Sequence, residues 1–355
     1  MTRRPRPLAL LLLGLAFSAA EAAAPTIEVI ADGHPQRHAL LERAARPWRI
    51  CALLPQGRDK FWWGVSWGLA DQAQRLGVEL GIYIAETYTD LAGQKRHWAE
   101  CRARGAEAYL VAAVSPGGLN EEIASAMAEG RPVIDLINGL GAAVSSRSIS
   151  DSRALGAMAA DYLLRDAGPR KVSAAWFAGP PDAEWANEAE RGFLERLRGR
   201  PVEVRLGGRG STDLQNQSTL VRAHLAQAGA PDYLVGNAVA VEFAARLVAR
   251  RPPPRPRLIA YYATEEMLAR IASGEVLAAP TNQPVVQARI GLDLAVRALQ
   301  GLPVPQKISV AALMIDRSNL AQLDRSVLMA PAGERLLHRP LPAASAAAAA
   351  PLSPR

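Results

Sequence analysis

The side chains in this sequence best placed for chemistry are aromatic. Only 5% of the chain is Phe, Trp or Tyr, yet Phe61, Trp62, Trp63 and Trp67 fall within one run of seven residues. They follow the apolar run ICALLP (50–55) and open the stretch FWWGVSWGLADQAQRLG, where Val65, Leu69, Ala73 and Leu76 share a helical stripe and Gly77 ends it. Trp67 lies a turn into that helix and reads as core. Phe61 and Trp62 stand before the helix settles, so at least one should face a ligand. The rest of the chain offers little to catalysis. The five histidines, His34, His38, His97, His224 and His338, are read as forming no metal centre. No G-x-S-x-G elbow follows directly on a strand, no P-loop opens a helix, and no C-x-x-C is present. The glycine-rich GGRGSTD (207–213) lacks a G-x-G-x-x-G match and reads as a surface turn. Carboxylates are spread over helix faces, where i,i+4 pairing with arginine accounts for them. The expectation is binding without chemistry: no catalytic residue, no metal and no cofactor.

Rings that bind need a scaffold, and the hydrophobic pattern describes one. After an irregular lead (25–47), the runs ICALLP, VELGIYIA, AYLVAAV and PVIDLI have the length and continuity of strands covered on both faces. Helical stretches separate them, so the repeating unit is βαβ, which predicts parallel sheets with right-handed crossovers. The pattern then restarts with the helix ALGAMAADYLLRDA and the strands VSAAWF, EVRLGG, DYLVGN and RLIAYY. A late helix, VVQARIGLDLAVRALQG, and a last strand, ISVAALMI, close the set. Two doubly wound units imply an α/β protein of two lobes with a hinge and a ligand cleft between them. The expected division is an N-terminal extension at 25–47, a first lobe of 48–142 plus 284–305, a second lobe of 143–283 plus 306–330, and a disordered Ala- and Pro-rich tail at 331–355. Crossings between lobes are expected near 139–143, 282–284 and 304–308.

The first 24 residues have a different character. Arg3, Arg4 and Arg6 precede an apolar run (8–17) and then small residues, the layout of a signal peptide rather than a membrane span. Ala20 and Ala22, or Ala22 and Ala24, suit the cleavage site. The net charge of +7 includes those arginines. The one dense basic run, RRPPPRPR (250–257), is proline-rich and reads as a solvated loop, so no nucleic-acid surface is expected. Cys51 begins a strand and Cys101 lies near the end of a helix that runs back antiparallel, which puts both at one edge of a sheet. In an exported chain that favours a disulfide, with two buried thiols as the alternative.

In open parallel sheets, ligands bind beyond the carboxyl ends of the strands. The residues there are Lys60 to Trp63 after the first strand, then Ser115, Pro116 and Asn138. In the second unit they are Gly179, Asn237, Tyr261 and Tyr262, followed by Asn282 and Gln283 before the late helix.

These segments resemble a known family. KFWWGVSWGLADQAQRLGVELGIY, AEAYLVAAV, RPVIDLIN and NQPVVQARIGLDLAVRALQG are similar to type I periplasmic binding proteins of the ribose-binding kind, over roughly 48–315. WRICALLP with Cys51, ECRARGAEA with Cys101, FWWGVSWG and the extra lead resemble more narrowly the TorT-type periplasmic sensors. The resemblance implies a periplasmic protein that binds a small molecule, trimethylamine N-oxide or a related solute. It would signal to a membrane sensor histidine kinase of a two-component system and be peripheral to the membrane through that partner. The alternative is the solute-binding subunit of an ABC transporter for a sugar or similar solute. By position, Trp62 and Tyr262 match family aromatics, whereas Phe61 stands where tyrosine is expected and Ser152 where tryptophan is expected. Asp151 resembles the polar residue of sugar binders. The expected ligand set is Phe61, Trp62, Asp151, Ser152, Tyr262 and Asn282.

Overall fold

The lead before the first expected strand is ordered β-structure. In the computed structural model, which describes residues 26–250, 252–334 and 338–343, β1 (Thr26–Ala31) and β2 (His34–Ala39) form a hairpin. Its turn is Asp32-Gly33, both with positive φ (49° and 83°), the conformation that matches the twist of two antiparallel strands. The extension expected to be irregular is therefore part of the first lobe. Asp293, fully buried, holds it there by accepting hydrogen bonds from the Leu41 N–H (2.6 Å) and the Arg297 guanidinium (2.6 Å) and by meeting the His38 ring (2.9 Å).

The apolar runs become strands as expected. β3 (Arg49–Leu54), β4 (Glu79–Ile84), β5 (Ala108–Val111) and β6 (Val133–Ile137) pair in parallel, joined by α1 (Phe61–Leu76), α2 (Leu91–Ala103) and α3 (Asn120–Ala128). β7 (Ser146–Ile149) extends this sheet. The second lobe follows with α4 (Ser152–Ala167), β8 (Val172–Phe177), α5 (Glu184–Leu197), β9 (Val202–Gly208) and α6 (Leu214–Gln227). It continues with β10 (Tyr233–Gly236), α7 (Ala238–Val248), β11 (Arg257–Ala260), α8 (Glu265–Ser273) and β12 (Ala278–Thr281). The chain returns as α9 (Pro284–Leu299), packed on the first sheet, and then forms β13 (Lys307–Val310) in the first sheet and β14 (Leu313–Asp316) in the second. The orders are β2-β1-β13-β7-β6-β5-β3-β4 and β14-β12-β11-β10-β8-β9. This is the α/β, two-lobed, doubly wound class expected.

Two crossings differ from expectation. The first lies at Ser150–Asp151 rather than 139–143, and the third at 311–312 rather than 304–308, because β7 and β13 both belong to the first sheet. β7 reads SRSI, and a polar strand escapes a hydrophobic pattern. Its serines are buried because each hydroxyl donates to a carbonyl, Ser146 to Pro305 (2.6 Å) and Ser148 to Gln287 (3.0 Å).

The end of the chain also departs from the expected tail. A 3-10 turn (Arg325–Val327) returns to α9, and the Leu328 carbonyl lies so close to α1 that a Cβ on Gly64 would stand 2.5 Å from it. Gly68, one turn on, would likewise meet the Val285 carbonyl of α9. The letters G-x-S-x-G at Gly64–Gly68 therefore lie inside a helix and serve close packing. Residues 338–343 then dock on the edge of β4. Arg339 and Ile82 exchange backbone hydrogen bonds (2.7 and 2.9 Å), and Leu341 is fully buried. One leucine amid Ala and Pro carries no periodicity, so the sequence does not announce it. Deleting the chain from residue 338 is expected to speed amide exchange at Ile82 by about ten-fold or more, because its N–H loses its acceptor. Unchanged exchange at Ile82 would show that the docked segment does not protect the edge. The expected signal peptide and residues 335–337 and 344–355 of the expected tail lie outside the described residues.

The expected pairing of cysteines is present. Cys51 in β3 and Cys101 in α2 form a disulfide with Cα atoms 6.1 Å apart, both fully buried.

Candidate functional site

Loops beyond the carboxyl ends of both sheets meet around a small cleft. Its walls are rings. The first lobe contributes Phe61 and Trp62 from the start of α1 and Tyr88 from the loop after β4. The second contributes Trp185 from the first turn of α5 and Tyr261 and Tyr262 after β11. The rings form a chain across the lobe boundary, edge-to-face from Trp62 to Phe61 at 5.4 Å, Phe61 to Tyr262 at 5.8 Å and Tyr262 to Trp185 at 6.0 Å, then tilted from Trp185 to Tyr88 at 6.1 Å. Such pairs are worth about 0.5–1.5 kcal/mol each beyond area burial. Two of the four cross between lobes, so the lobes are closed on each other.

Polar groups are few. Asn138 follows β6 and donates to the Ala113 carbonyl (2.8 Å), and Ser150 and Asn282 occupy two of the crossings, where Asn282 donates to the Ser150 hydroxyl. That leaves the Asn282 carbonyl oxygen buried without a partner.

The decisive group is Asp59, in the loop before α1 and 3% exposed. Its Oδ1 accepts from the Phe61 N–H (3.0 Å), and its Oδ2 accepts from the Tyr262 hydroxyl of the other lobe (2.5 Å). Burial pushes its carboxyl up to about 6, and these two hydrogen bonds only partly offset that. Burial likewise raises the hydroxyls of Tyr88, Tyr261 and Tyr262, which stay protonated. Lys60, the adjacent cation, turns away to Glu266 (3.4 Å) on α8.

The structure brings five of the six expected residues to this cleft: Phe61, Trp62, Ser152, Tyr262 and Asn282. Asp151 does not line the ring-walled cleft but an adjoining pocket that shares Asn138, Ser150, Ser152 and Trp185 with it. It is the N-cap of α4, exposed, and its carboxylate accepts from the Ala154 N–H (3.0 Å), which turns the side chain onto its own helix. Of the other strand-end residues, Asn138 and Tyr261 line the cleft, whereas Asn237 caps α7 through the Ala240 N–H (2.9 Å). Sequence reasoning missed Asp59, Tyr88 and Trp185. Asp59 was legible as the acid two residues before the ring cluster. Trp185 had no local signal, yet it supplies a ring wall in a cleft where Ser152 supplies none. The glycine-rich 207–213 is also no surface turn. Thr212 is 1% exposed and accepts from the Gln56 amide of the other lobe (3.3 Å), which makes this loop a second contact between lobes.

Two hinged sheets closing aromatic walls around a small cleft define a ligand-binding protein of the two-lobed, type I kind. The chain belongs to the periplasmic binding protein domain family, whose profile matches residues 50–303. It is 29% identical to the periplasmic protein TorT of Escherichia coli K12 over 280 residues, 78% of this chain and 80% of that one. An ABC transporter solute-binding protein from Bradyrhizobium sp. BTAi1, solved with bound bis-tris, is 30% identical and superposes with a TM-score of 0.75, covering 90% of this chain and 99% of that one. The complex of TorT with the TorS sensor domain in the presence of TMAO contains a chain of the same fold, with a TM-score of 0.73 and 24% identity over 82% of this chain and 99% of that one. Among the described residues no helix is long and apolar enough to cross a membrane.

Proposed function

We propose that this protein closes on a small methylated nitrogen solute in the periplasm, trimethylamine N-oxide or a related molecule, and reports closure to the sensor domain of a membrane histidine kinase. The observation that carries this reading is the six-ring box around Asp59, split between the lobes. Ring faces attract polarised methyl groups, and a hydroxyl-rich sugar would need more polar partners than the lining offers. The signalling half rests on the likeness to TorT. A second reading, solute capture for an ABC transporter, is favoured by the Bradyrhizobium relative, and its ligand, bis-tris, is itself a hydroxylated tertiary amine. Catalysis has no part in either reading.

Calorimetric titration of trimethylamine N-oxide, a pentose and a hexose into the protein tests the ligand class. Heat with a sugar alone would overturn the methylated-nitrogen reading. Trp62→Ala is expected to weaken binding several-fold to tens-fold, since a ring contact of this kind is worth about 0.5–2 kcal/mol. Unchanged affinity would make Trp62 a packing residue and misplace the site. Co-purification with a kinase sensor domain supports the sensor, and co-purification with a permease supports transport.

A further inference from the structure

The lining of the cleft contains one acid and no base. Asp59 is the sole carboxyl of the ring-walled cleft and no Lys, Arg or His joins it there; Asp151, Arg153, Glu184, Glu188 and Lys307 line an adjoining pocket that shares Asn138, Ser152 and Trp185 with it. A buried carboxylate without a counter-charge is costly, and proteins tolerate one where something else supplies the charge. We propose that the ligand of this cleft is a small tertiary or quaternary ammonium cation, enclosed by the aromatic walls with the Asp59 carboxylate as its counter-charge. The inference rests on the cleft being the ligand site and says which member of the methylated-nitrogen class it takes.

The geometry supports a cation over an N-oxide. An N-oxide presents a negative oxygen, which Asp59 as a carboxylate repels. Phe61 has no hydroxyl to donate and the Tyr262 hydroxyl is committed to Asp59, which leaves the unpartnered Trp185 Nε1–H as a donor to an N-oxide, with the Asp59 carboxylate opposing it. An ammonium group presents positive charge in every direction. Ring faces and a carboxylate both attract it, and the free oxygen of Asn282 is a further acceptor. Bringing both lobes onto one cation also explains why the side-chain hydrogen bond to Asp59, from Tyr262, comes from the lobe opposite its own.

The pH dependence follows from the groups facing Asp59. These are Tyr262 and Tyr261 after β11, Tyr88 after β4 and Glu242 on α7; Lys60 beside it is drawn off by Glu266. The tyrosines remain neutral and burial raises the Glu242 carboxyl as well, but Glu242 lies outside the lining, so the titrating group within the cleft is Asp59, near 6. A cation lowers that value, so its affinity is full above about pH 6 and falls as pH drops through it, by about ten-fold per unit.

The probe is tetramethylammonium, whose charge does not titrate, against trimethylamine N-oxide, each measured by calorimetry on the whole exported chain at pH 8 and pH 5. The expected result is tighter binding of the cation at pH 8, with about a ten-fold loss at pH 5. Asp59→Asn should weaken it by roughly thirty-fold or more at pH 8 and flatten the pH profile. Tyr262→Phe keeps the ring and removes a donor to the carboxylate, so the midpoint should move up. That variant keeps the test sound if Asp59→Asn lowers the thermal midpoint. Absent cation binding, a flat wild-type profile, or full affinity in a folded Asp59→Asn protein would each overturn the inference. N-oxide or sugar binding that weakens in Trp62→Ala would then leave the cleft as the site. Binding indifferent to Trp62→Ala would remove the site as well.

Discussion

Gly156→Ala is expected to destabilise the second lobe by about 3 kcal/mol, the upper end of the overpacking range, and to loosen the ligand cleft with it. α4 and α5 cross with their backbones almost touching. A Cβ on Gly156 would stand 1.9 Å from the Ala189 carbonyl oxygen, and one on Gly192 would stand 2.0 Å from that of Arg153. The obstructing atoms are backbone in both cases, so no rotamer change relieves them and the helices must move apart. Separation would loosen the packing of Leu155, Ala159 and Leu163 on α4 and of Ala186 and Phe193 on α5, all now buried. Alanine's better helix propensity, worth only about 1 kcal/mol, is already counted in that figure. For a domain of this size the net loss corresponds to roughly 6–12 °C in thermal midpoint. The helices also carry Ser152, Leu155 and Trp185 to the cleft, so ligand affinity should fall together with stability. An unchanged melting curve would mean that the helices are not packed as described.

Removing the Cys51–Cys101 disulfide is expected to cost about 4 kcal/mol on the chain-entropy account, which depends on the 50-residue separation of the cysteines. The bond ties β3 to α2, the helix that follows the loop carrying Tyr88. The clean comparison is denaturant unfolding of the oxidised protein against the Cys51→Ala/Cys101→Ala double variant, which leaves no free thiol to react. The midpoint should fall while the slope changes little or rises with a more expanded unfolded chain. Equal midpoints would show that packing around Trp98 and Tyr109, stacked at 4.2 Å, carries the stability alone. Thiol counting on denatured, unreduced protein should find none.

Local pattern was enough for much of this protein. Continuous apolar runs such as ICALLP and VIDLI can only be strands covered on both faces, and their alternation with helices leaves few topologies besides two parallel sheets. Position alone placed Trp62 and Tyr262 at the cleft between the lobes, because the carboxyl end of a parallel strand opens where the sheet's helices do not cover it. The two cysteines were legible for the same reason, since strand and helix directions fix which edge each occupies.

What local pattern could not reach are the features whose cause is distant in sequence. Asp151 was expected in the ligand set and caps its own helix outside the ring-walled cleft, because the nearest unpaired N–H groups belong to that helix. Asp59 looked ordinary and is the sole charge in the cleft, because Tyr262, some two hundred positions away, closes over it. Trp185 and Tyr88 are isolated aromatics in their own segments and become neighbours only when the lobes meet. β7 and the docked Leu341 are polar or solitary in sequence, and their burial depends on partners supplied by α9, β13 and β4. Periodicity records which face of an element is buried. Only the tertiary structure decides which loop ends converge, because convergence is a property of how two lobes close and not of any one segment.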